Sequence, residues 1–324
     1  MRKASCVSTS STPSPSPGKP VILVAAPVLA RVLPLLSAQY DVLPLWEAES
    51  HARIAEARAL VVIGETPLDT ALVERMPKLG LIACFTVGYD GIDVGWARAR
   101  GLAVTHAPGA NDEDVADHAI GLILGHRRQI VAGDRTVRDG TWNPHQRAFT
   151  RSLAGATLGV VGLGDIGAAV ARRAEAMRMR IGWWGPNPKP DAPWPRAESL
   201  VALARESEIL VVAARAHAGN ARLISAEVIE ALGPEGLLVN VARGSLVDED
   251  ALIAALKDGR LGGAALDVFE TEPTPAARWA GVPNTVFTPH TAGSTQDAVQ
   301  RMVAMLFANL AAFFAGEPLR TPAA

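Results

Sequence analysis

The stretch from Thr157 to Met177 reads TLGVVGLGDIGAAVARRAEAM. A short apolar run, Leu158 to Val161, enters glycines at 162, 164 and 167, and an alanine-rich, proline-free segment with apolar positions at helical spacing follows. Strand, glycine turn and helix in that order constrain the fold more than any other stretch, because G-x-G-x-x-G in this setting is a dinucleotide fingerprint. Gly162 lets the chain turn tightly, Gly164 carries no Cβ to keep the backbone from a pyrophosphate, and Gly167 lets the helix lie close on the strand. The helix start aims unpaired N–H groups and a partial positive charge at phosphates. Gly162, Leu163, Gly164, Asp165, Ile166 and Gly167 are therefore the first candidate cofactor-binding residues. Glycine-rich turns also close hairpins and occur in methyltransferase-type sheets, so the flanking strand and helix carry the reading.

A chain of 324 residues is too long for one ordinary core and fits two domains. Before the fingerprint, VILVAA from Val21, VLPL from Val42, ALVVIG from Ala59, LIACFT from Leu81 and LAVTHAP from Leu102 alternate with helical stretches. That alternation predicts parallel β–α–β units. A long helix is expected from about Asp112 through DVADHAIGLILGHRRQIV, with Asp112, Glu113 and Asp114 in its first turn and Arg127 and Arg128 toward its end, as the helix dipole favours. After the fingerprint, strands are expected from Ile181, Ile209, Gly236, Gly263 and Thr285, with helices over 199–206, 225–232, 248–257 and, last, 296–314. The fold predicted is α/β with two doubly wound parallel-sheet domains, a central Rossmann cofactor domain inserted into a discontinuous flavodoxin-like domain. Residues 1–20, rich in Ser, Thr and Pro, are expected to be a disordered tail. Residues 21–103 with 291–324 make the outer domain, and 104–290 the cofactor domain.

A net charge of −2, with both signs spread along the chain, offers no basic face for nucleic acid. Apolar runs such as Val21 to Ala26 and Ile209 to Ala214 are far shorter than the ~20 residues of a membrane helix. Cys6 and Cys84 alone build neither a disulfide framework nor a metal cluster, which is compatible with a reducing cytosol. The expectation is a cytoplasmic protein that binds a small molecule, with no nucleic-acid, membrane or metal partner.

Three later stretches each end an expected strand, where open α/β sheets place their ligands. NVARGSLVDED presents Arg243, ALDVFETEP presents Glu270 and Glu272, and FTPHTAGST presents His290. Reduction of a keto acid needs such a set. The planar fork of Arg243 can grip a carboxylate and polarise the neighbouring carbonyl. His290 can hand over a proton as hydride arrives, and a carboxylate beside it, Glu272, would favour the imidazolium and fix the ring. Taken singly, an arginine after a strand is more often a surface group, a histidine in a Thr-Pro-His turn is usually structural, and Asp248 and Glu249 serve a helix start. Joint occurrence in one order on one sheet shifts the balance.

With those residues in view, the chain resembles the D-isomer-specific 2-hydroxyacid dehydrogenase family over about residues 20–320, and within it the glyoxylate and hydroxypyruvate reductase branch. VVGLGDIG, VNVARGSLVDEDAL, ALDVFETEP, TPHTAGST and FTVGYDGID carry the resemblance. It implies Arg243 as anchor of the substrate carboxylate, Glu272 as partner of His290, and His290 as general acid. It further implies that Val87 and Gly88 meet the substrate carboxylate with backbone N–H groups, that Asp267 lies near the nicotinamide carboxamide, and that Val241, Ala242, Arg243 and His290 line the cofactor. A mobile cleft and a homodimer joined through the cofactor domain are implied too, with the apolar helix at 115–125 suited to the interface and Trp142 able to reach a neighbour's site. A glutamine would be expected at Glu272 in the formate dehydrogenase branch, and only 34 residues follow His290, where the phosphoglycerate branch often adds a regulatory domain.

An NAD-selective Rossmann unit usually carries Asp or Glu at the end of its second strand to hold the ribose 2′-hydroxyl. Here the strand reads RIGWWGPNPKPD, with Gly185 at the acidic position and no acid before Asp191. NADP is therefore preferred over NAD, with Asn187, Lys189 and Arg180 as candidates to hold a 2′-phosphate. Asp165 is a second departure, since many relatives place an arginine there. Two other readings stand beside the reductase: a dinucleotide-sensing regulator on the same fold without turnover, and a nucleotide enzyme sharing only the glycine loop, which leaves the later motifs unexplained.

Overall fold

Apolar runs of three to five residues become the strands of two sheets in the computed structural model, which describes residues 18–145 and 149–323. Most of the tail expected over residues 1–20 lies outside the described residues. The first sheet holds β1 (Val21–Val24), β2 (Asp41–Pro44), β3 (Ala59–Val62), β4 (Leu81–Cys84) and β5 (Ala103–Thr105) in the order β2-β1-β3-β4-β5. The second holds β6 (Thr157–Val161), β7 (Arg180–Trp184), β8 (Ile209–Val212), β9 (Leu237–Asn240), β10 (Gly263–Leu266) and β11 (Thr285–Phe287) in the order β11-β10-β9-β8-β6-β7. Every pairing is parallel. β3, β4, β8, β9 and β10 are buried at every position, as strands covered by helices on both faces must be. Both sheets are doubly wound, and in the second the strand order reverses between β6 and β8, so the glycine turn after β6 lies at the topological switch point.

The chain divides into one unit made of the residues up to Pro108 with those from Gln300 onward, and a second made of Gly109–Val299. These boundaries lie beyond 103 and 290 because local hydrogen bonds assign the connecting turns. Ala107 N–H donates to the Thr86 carbonyl at 3.1 Å and His106 N–H to that of Thr321 at 3.2 Å, which keeps the end of β5 in the first unit. Thr295 Oγ1 donates to Asp114 at 2.6 Å, which keeps the turn after His290 in the second.

Among the described residues one helix, Gln296–Ala315, is long and apolar enough by length and composition to cross a membrane. Within the first unit its residues are packed: Leu306 and Leu310 are buried, and Tyr40 lies 5.5 Å from the Phe314 ring. Asn309, also buried, accepts from the backbone of Arg320 and Thr321 and donates to Thr321 Oγ1 at 2.7 Å, so the C-terminal strand segment is fastened back onto β5.

The long helix expected from Asp112 ends at Arg127, and a second, Ile130–Arg138, follows. The break falls at Gln129, whose φ of 51° is left-handed. On either side of the helix end, Arg127 pairs inward with Glu208 at 2.7 Å and Arg128 donates to Thr150 at 3.0 Å. The apolar residues Val115, Ala116, Ala119, Ile120, Leu122 and Ile123 are buried in their own unit's core, and the exposed large apolar side chains include Ile130, Val131, Val137 and Trp142, the last 67% exposed.

The carboxyl ends of β10 and β11 are joined through Asp267, which is 1% exposed. Its carboxylate accepts from Thr288 Oγ1 at 2.5 Å and from the N–H groups of Thr291 and Ala292, each at 2.9 Å. His118, from the helix Asp112–Arg127, donates through Nε2 to Thr288 Oγ1 at 2.9 Å; the hydroxyl proton is committed to Asp267, so the ring must carry hydrogen on that nitrogen. Burial alone would raise the carboxyl pKa, but the donors from His118, Thr288, Thr291 and Ala292 outweigh it and bring it down to about 2. A depressed carboxyl pKa adds stability above its ordinary value of 3.8 and loses it as pH falls through about 2. Asp267→Asn is expected to cost about 2 kcal/mol at neutral pH. The gap from wild type should close below pH 4 in urea melts followed by circular dichroism, and a gap unchanged with pH would refute the assignment.

Candidate functional site

β6 delivers the chain into the glycine turn, and the helix Asp165–Ala176 leaves it. Gly162 has φ of 90°, and a Cβ there would stand 2.6 Å from Ala214 Cα, so the turn after β6 lies directly against the loop after β8. A Cβ on Gly167 would meet the Gly162 carbonyl oxygen. Gly164 is the opposite case: no protein atom lies within 4 Å of its Cβ position. The backbone there faces open space beside the unpaired N–H groups of a helix start. Two glycines bound by packing and one bare toward solvent make a cradle that fits a pyrophosphate. Asp165 stands in the first turn of that helix. Burial, and then the charges of Asp165 and Glu113, hold the Asp112 carboxyl above its ordinary pKa.

Gly185 directly follows β7, beside the turn, since Gly162 N–H donates to the Trp184 carbonyl at 2.8 Å. An added Cβ would touch only the Trp183 ring, at 3.4 Å. Asn187 and Lys189 lie exposed on the loop beyond. Arg180 does not belong with them. It begins β7 in register with Thr157, at the opposite end of the sheet, a strand of ~3.3 Å per residue away.

The loop after β9 is shaped by Asn240, which is buried and spends its side chain on the next residues. Its Oδ1 accepts from Ala242 N–H at 3.0 Å and its Nδ2 donates to the Arg243 carbonyl at 2.9 Å. Arg243 Nη1 donates to the Ala242 carbonyl at 2.7 Å. The next residue, Gly244, has no room for a Cβ, which would fall on the Phe269 carbonyl group, so the Arg243 loop lies against the loop after β10. There Phe269 N–H donates to Glu272 Oε1 at 2.9 Å, and Glu272 Oε2 accepts from His290 Nδ1 at 2.7 Å. The same loop is held from beneath by Glu249, 2% exposed, which accepts from Glu270 N–H at 2.6 Å and from Arg278 Nε at 2.8 Å. Glu270 itself pairs outward with Arg222 and Arg278.

His290 adopts φ of 54°, a left-handed conformation that costs a non-glycine residue about 1–2 kcal/mol. Its N–H donates to the Asp267 carbonyl at 2.8 Å, and the turn fastened by the Asp267 carboxylate begins on its far side. Ring and carboxylate of the His290–Glu272 pair are each 35% exposed, open enough to meet a small molecule. With Nδ1 committed to Glu272, Nε2 is the atom at which a proton can be given or taken.

Contacts between adjoining loops thus set the Arg243 backbone, Glu272 and His290 on the carboxyl edge of one sheet. Asp267 is fully engaged in holding the turn, and Val241 and Ala242 form the backbone after β9. Asn240 and His118 lie outside the sequence expectations, and Glu249 begins the helix Glu249–Lys257 as expected while also holding the loop at Glu270. Only the asparagine in VNVARG and the acid in VDED gave any signal, and both types are common at strand and helix ends. Val87 and Gly88 lie after β4 in the other unit. Thr86 Oγ1 accepts from Gly64 N–H at 3.0 Å and donates to the Gly88 carbonyl at 2.9 Å, while the Val87 carbonyl faces His106 Nδ1 at 3.0 Å.

Residues 120–292 match the model of the D-isomer specific 2-hydroxyacid dehydrogenase, NAD binding domain. The chain is 37% identical over 306 residues to glyoxylate/hydroxypyruvate reductase A of Arabidopsis thaliana, covering 93% of this chain and 98% of that protein. It is 41% identical over 285 residues to hydroxyphenylpyruvate reductase of Plectranthus scutellarioides, covering 88% and 89%. Among solved structures, the NADPH-dependent glyoxylate/hydroxypyruvate reductase of Sinorhizobium meliloti, in complex with NADP and malonate, superposes with a TM-score of 0.88 at 36% identity over 95% of this chain and 97% of that one. By sequence, fold and the order of its motifs, the chain belongs to the D-isomer specific 2-hydroxyacid dehydrogenase family.

Proposed function

We propose that this chain reduces a small 2-keto acid to the D-2-hydroxy acid, using NADPH in preference to NADH. The observation that carries the reading is the His290–Glu272 hydrogen bond at 2.7 Å on the sheet edge that also presents Arg243. The reduced nicotinamide, when bound, supplies the hydride. Arg243 grips the substrate carboxylate with its planar fork, which orients the adjacent carbonyl. The backbone N–H groups of Val87 and Gly88 are proposed as further donors to that carboxylate. His290 gives the proton on Nε2 to the keto oxygen, and Glu272 steadies the imidazolium before transfer and fixes the ring. NADPH preference is supported by the missing carboxylate at Gly185 and by the cofactor named for the Sinorhizobium relative. The relatives' names support glyoxylate, hydroxypyruvate or a larger arylpyruvate as substrate. A cytoplasmic homodimer joined through the cofactor domain completes the reading. Exposed Ile130, Val131, Val137 and Trp142 support the contact, and Cys84, a buried thiol whose pKa burial pushes up to about 12, suits a reducing compartment.

The direct test follows absorbance of reduced nicotinamide with NADPH or NADH and glyoxylate, hydroxypyruvate, pyruvate or hydroxyphenylpyruvate. Oxidation with none of these pairs would favour a dinucleotide sensor. His290→Ala should lower kcat by about 10²- to 10⁴-fold while cofactor affinity, read by fluorescence titration, stays within a few-fold. Arg243→Ala should raise KM by about 10- to 100-fold and lower kcat as well; an unchanged KM would remove the anchor role. Gly185→Asp, which the backbone accommodates, should turn preference toward NADH in the ratio of kcat/KM values.

A further inference from the structure

The chain that leaves β7 does not simply depart. After the exposed loop it returns along the outer edge of the strand: Trp183 N–H donates to the Pro195 carbonyl at 3.1 Å and Ala197 N–H to the Trp183 carbonyl at 2.8 Å. Arg196 is thereby set beside Trp183 in parallel register. Its guanidinium reaches the carboxyl end of β7, donating to the Gly185 carbonyl through Nη2 at 2.7 Å and Nε at 3.3 Å, with its central carbon 5.8 Å from the centre of the Trp183 ring.

We propose that Arg196 is the specificity-determining residue that reads the 2′-phosphate of the dinucleotide, held ready by the Gly185 carbonyl. The inference rests on the NADPH reading and deepens it. Three features carry it. Gly185 is where an NAD-selective domain places the carboxylate that takes the ribose hydroxyls, and here a permanent cation is fastened to that same residue's backbone. Among the described residues no carboxylate lies within ion-pair distance of the guanidinium, so its charge is left for a ligand. Two bonds on one edge of the fork fix its orientation, while the two hydrogens of Nη1 and the second on Nη2 remain for phosphate oxygens, and a donor positioned beforehand loses little freedom on binding. Asn187 and Lys189 stand on the exposed loop without such an anchor, and Arg180 lies at the far end of the strand. In sequence Arg196 is eleven residues beyond Gly185, past five prolines, so only the folded edge brings the two together.

Isothermal titration of the full chain with 2′,5′-ADP and with 5′-AMP isolates the 2′-phosphate without turnover. Wild type should bind 2′,5′-ADP the more tightly, and Arg196→Gln should weaken that ligand by about 10- to 100-fold while 5′-AMP changes by no more than about threefold. Arg196→Lys, which keeps the charge without the fork, should fall between and serves if the glutamine variant fails to fold. Equal weakening of both ligands would make Arg196 a clamp on the loop and overturn the inference, as would unchanged binding of 2′,5′-ADP by the glutamine variant; in either case the NADPH reading survives. If wild type does not distinguish the two ligands, the NADPH reading itself falls and the inference with it.

Discussion

A carboxylate buried at the end of a strand has to be surrounded by donors, and in this protein the donors belong to the turn that carries His290. Asp267 gathers Thr288 Oγ1 and the N–H groups of Thr291 and Ala292. Its own carbonyl takes the N–H of His290. A charged acceptor makes hydrogen bonds about twice as strong as a neutral one, so this cluster can hold His290 in a backbone conformation that costs about 1–2 kcal/mol. Asp267 thus fixes where the imidazole of His290, the proposed proton donor, stands.

The same economy governs the neighbouring loops. Gly244 lets the backbone after β9 lie on that after β10, and Gly162 lets the turn after β6 lie on the loop after β8. In each pair a glycine is needed because two loops leave adjacent parallel strands on the same edge and have to pass within backbone contact. Buried polar side chains then fix what the glycines bring close: Asn240 for the Arg243 loop, Glu249 for the loop that ends in Glu272. A parallel sheet supplies the edge, and the side chains at its carboxyl ends supply the chemistry.

On the proposed NADPH reading, cofactor choice turns on the outer strand, where no acid stands between β7 and Asp191. Removing a carboxylate lifts a repulsion but gives no attraction to a phosphate. The attraction proposed for Arg196 comes from elsewhere in the chain, through a segment that returns along the strand edge and points a guanidinium back at its end. Absence and replacement are separate steps, and only the first is visible as a local departure from a motif.

Alternating apolar runs and the glycine spacing determined by themselves the two parallel sheets and the dinucleotide turn, and the order of VARG, FETEP and TPH marked Arg243, Glu272 and His290 as the candidate set. Each of these is a local pattern, legible because burial period, turn chemistry and residue type are written along the chain. The tertiary structure alone decided what depends on residues far apart. The long helix breaks at Gln129, whose backbone is left-handed. Arg180 was removed from the cofactor end by strand register. The apolar face at 115–123 was spent on its own unit's core. His118, Glu249 and Arg196 took their places through hydrogen bonds to Thr288, the Glu270 backbone and the Gly185 carbonyl. A side chain's partner across a sheet edge is set by register and packing, and no pattern of neighbours in sequence encodes it.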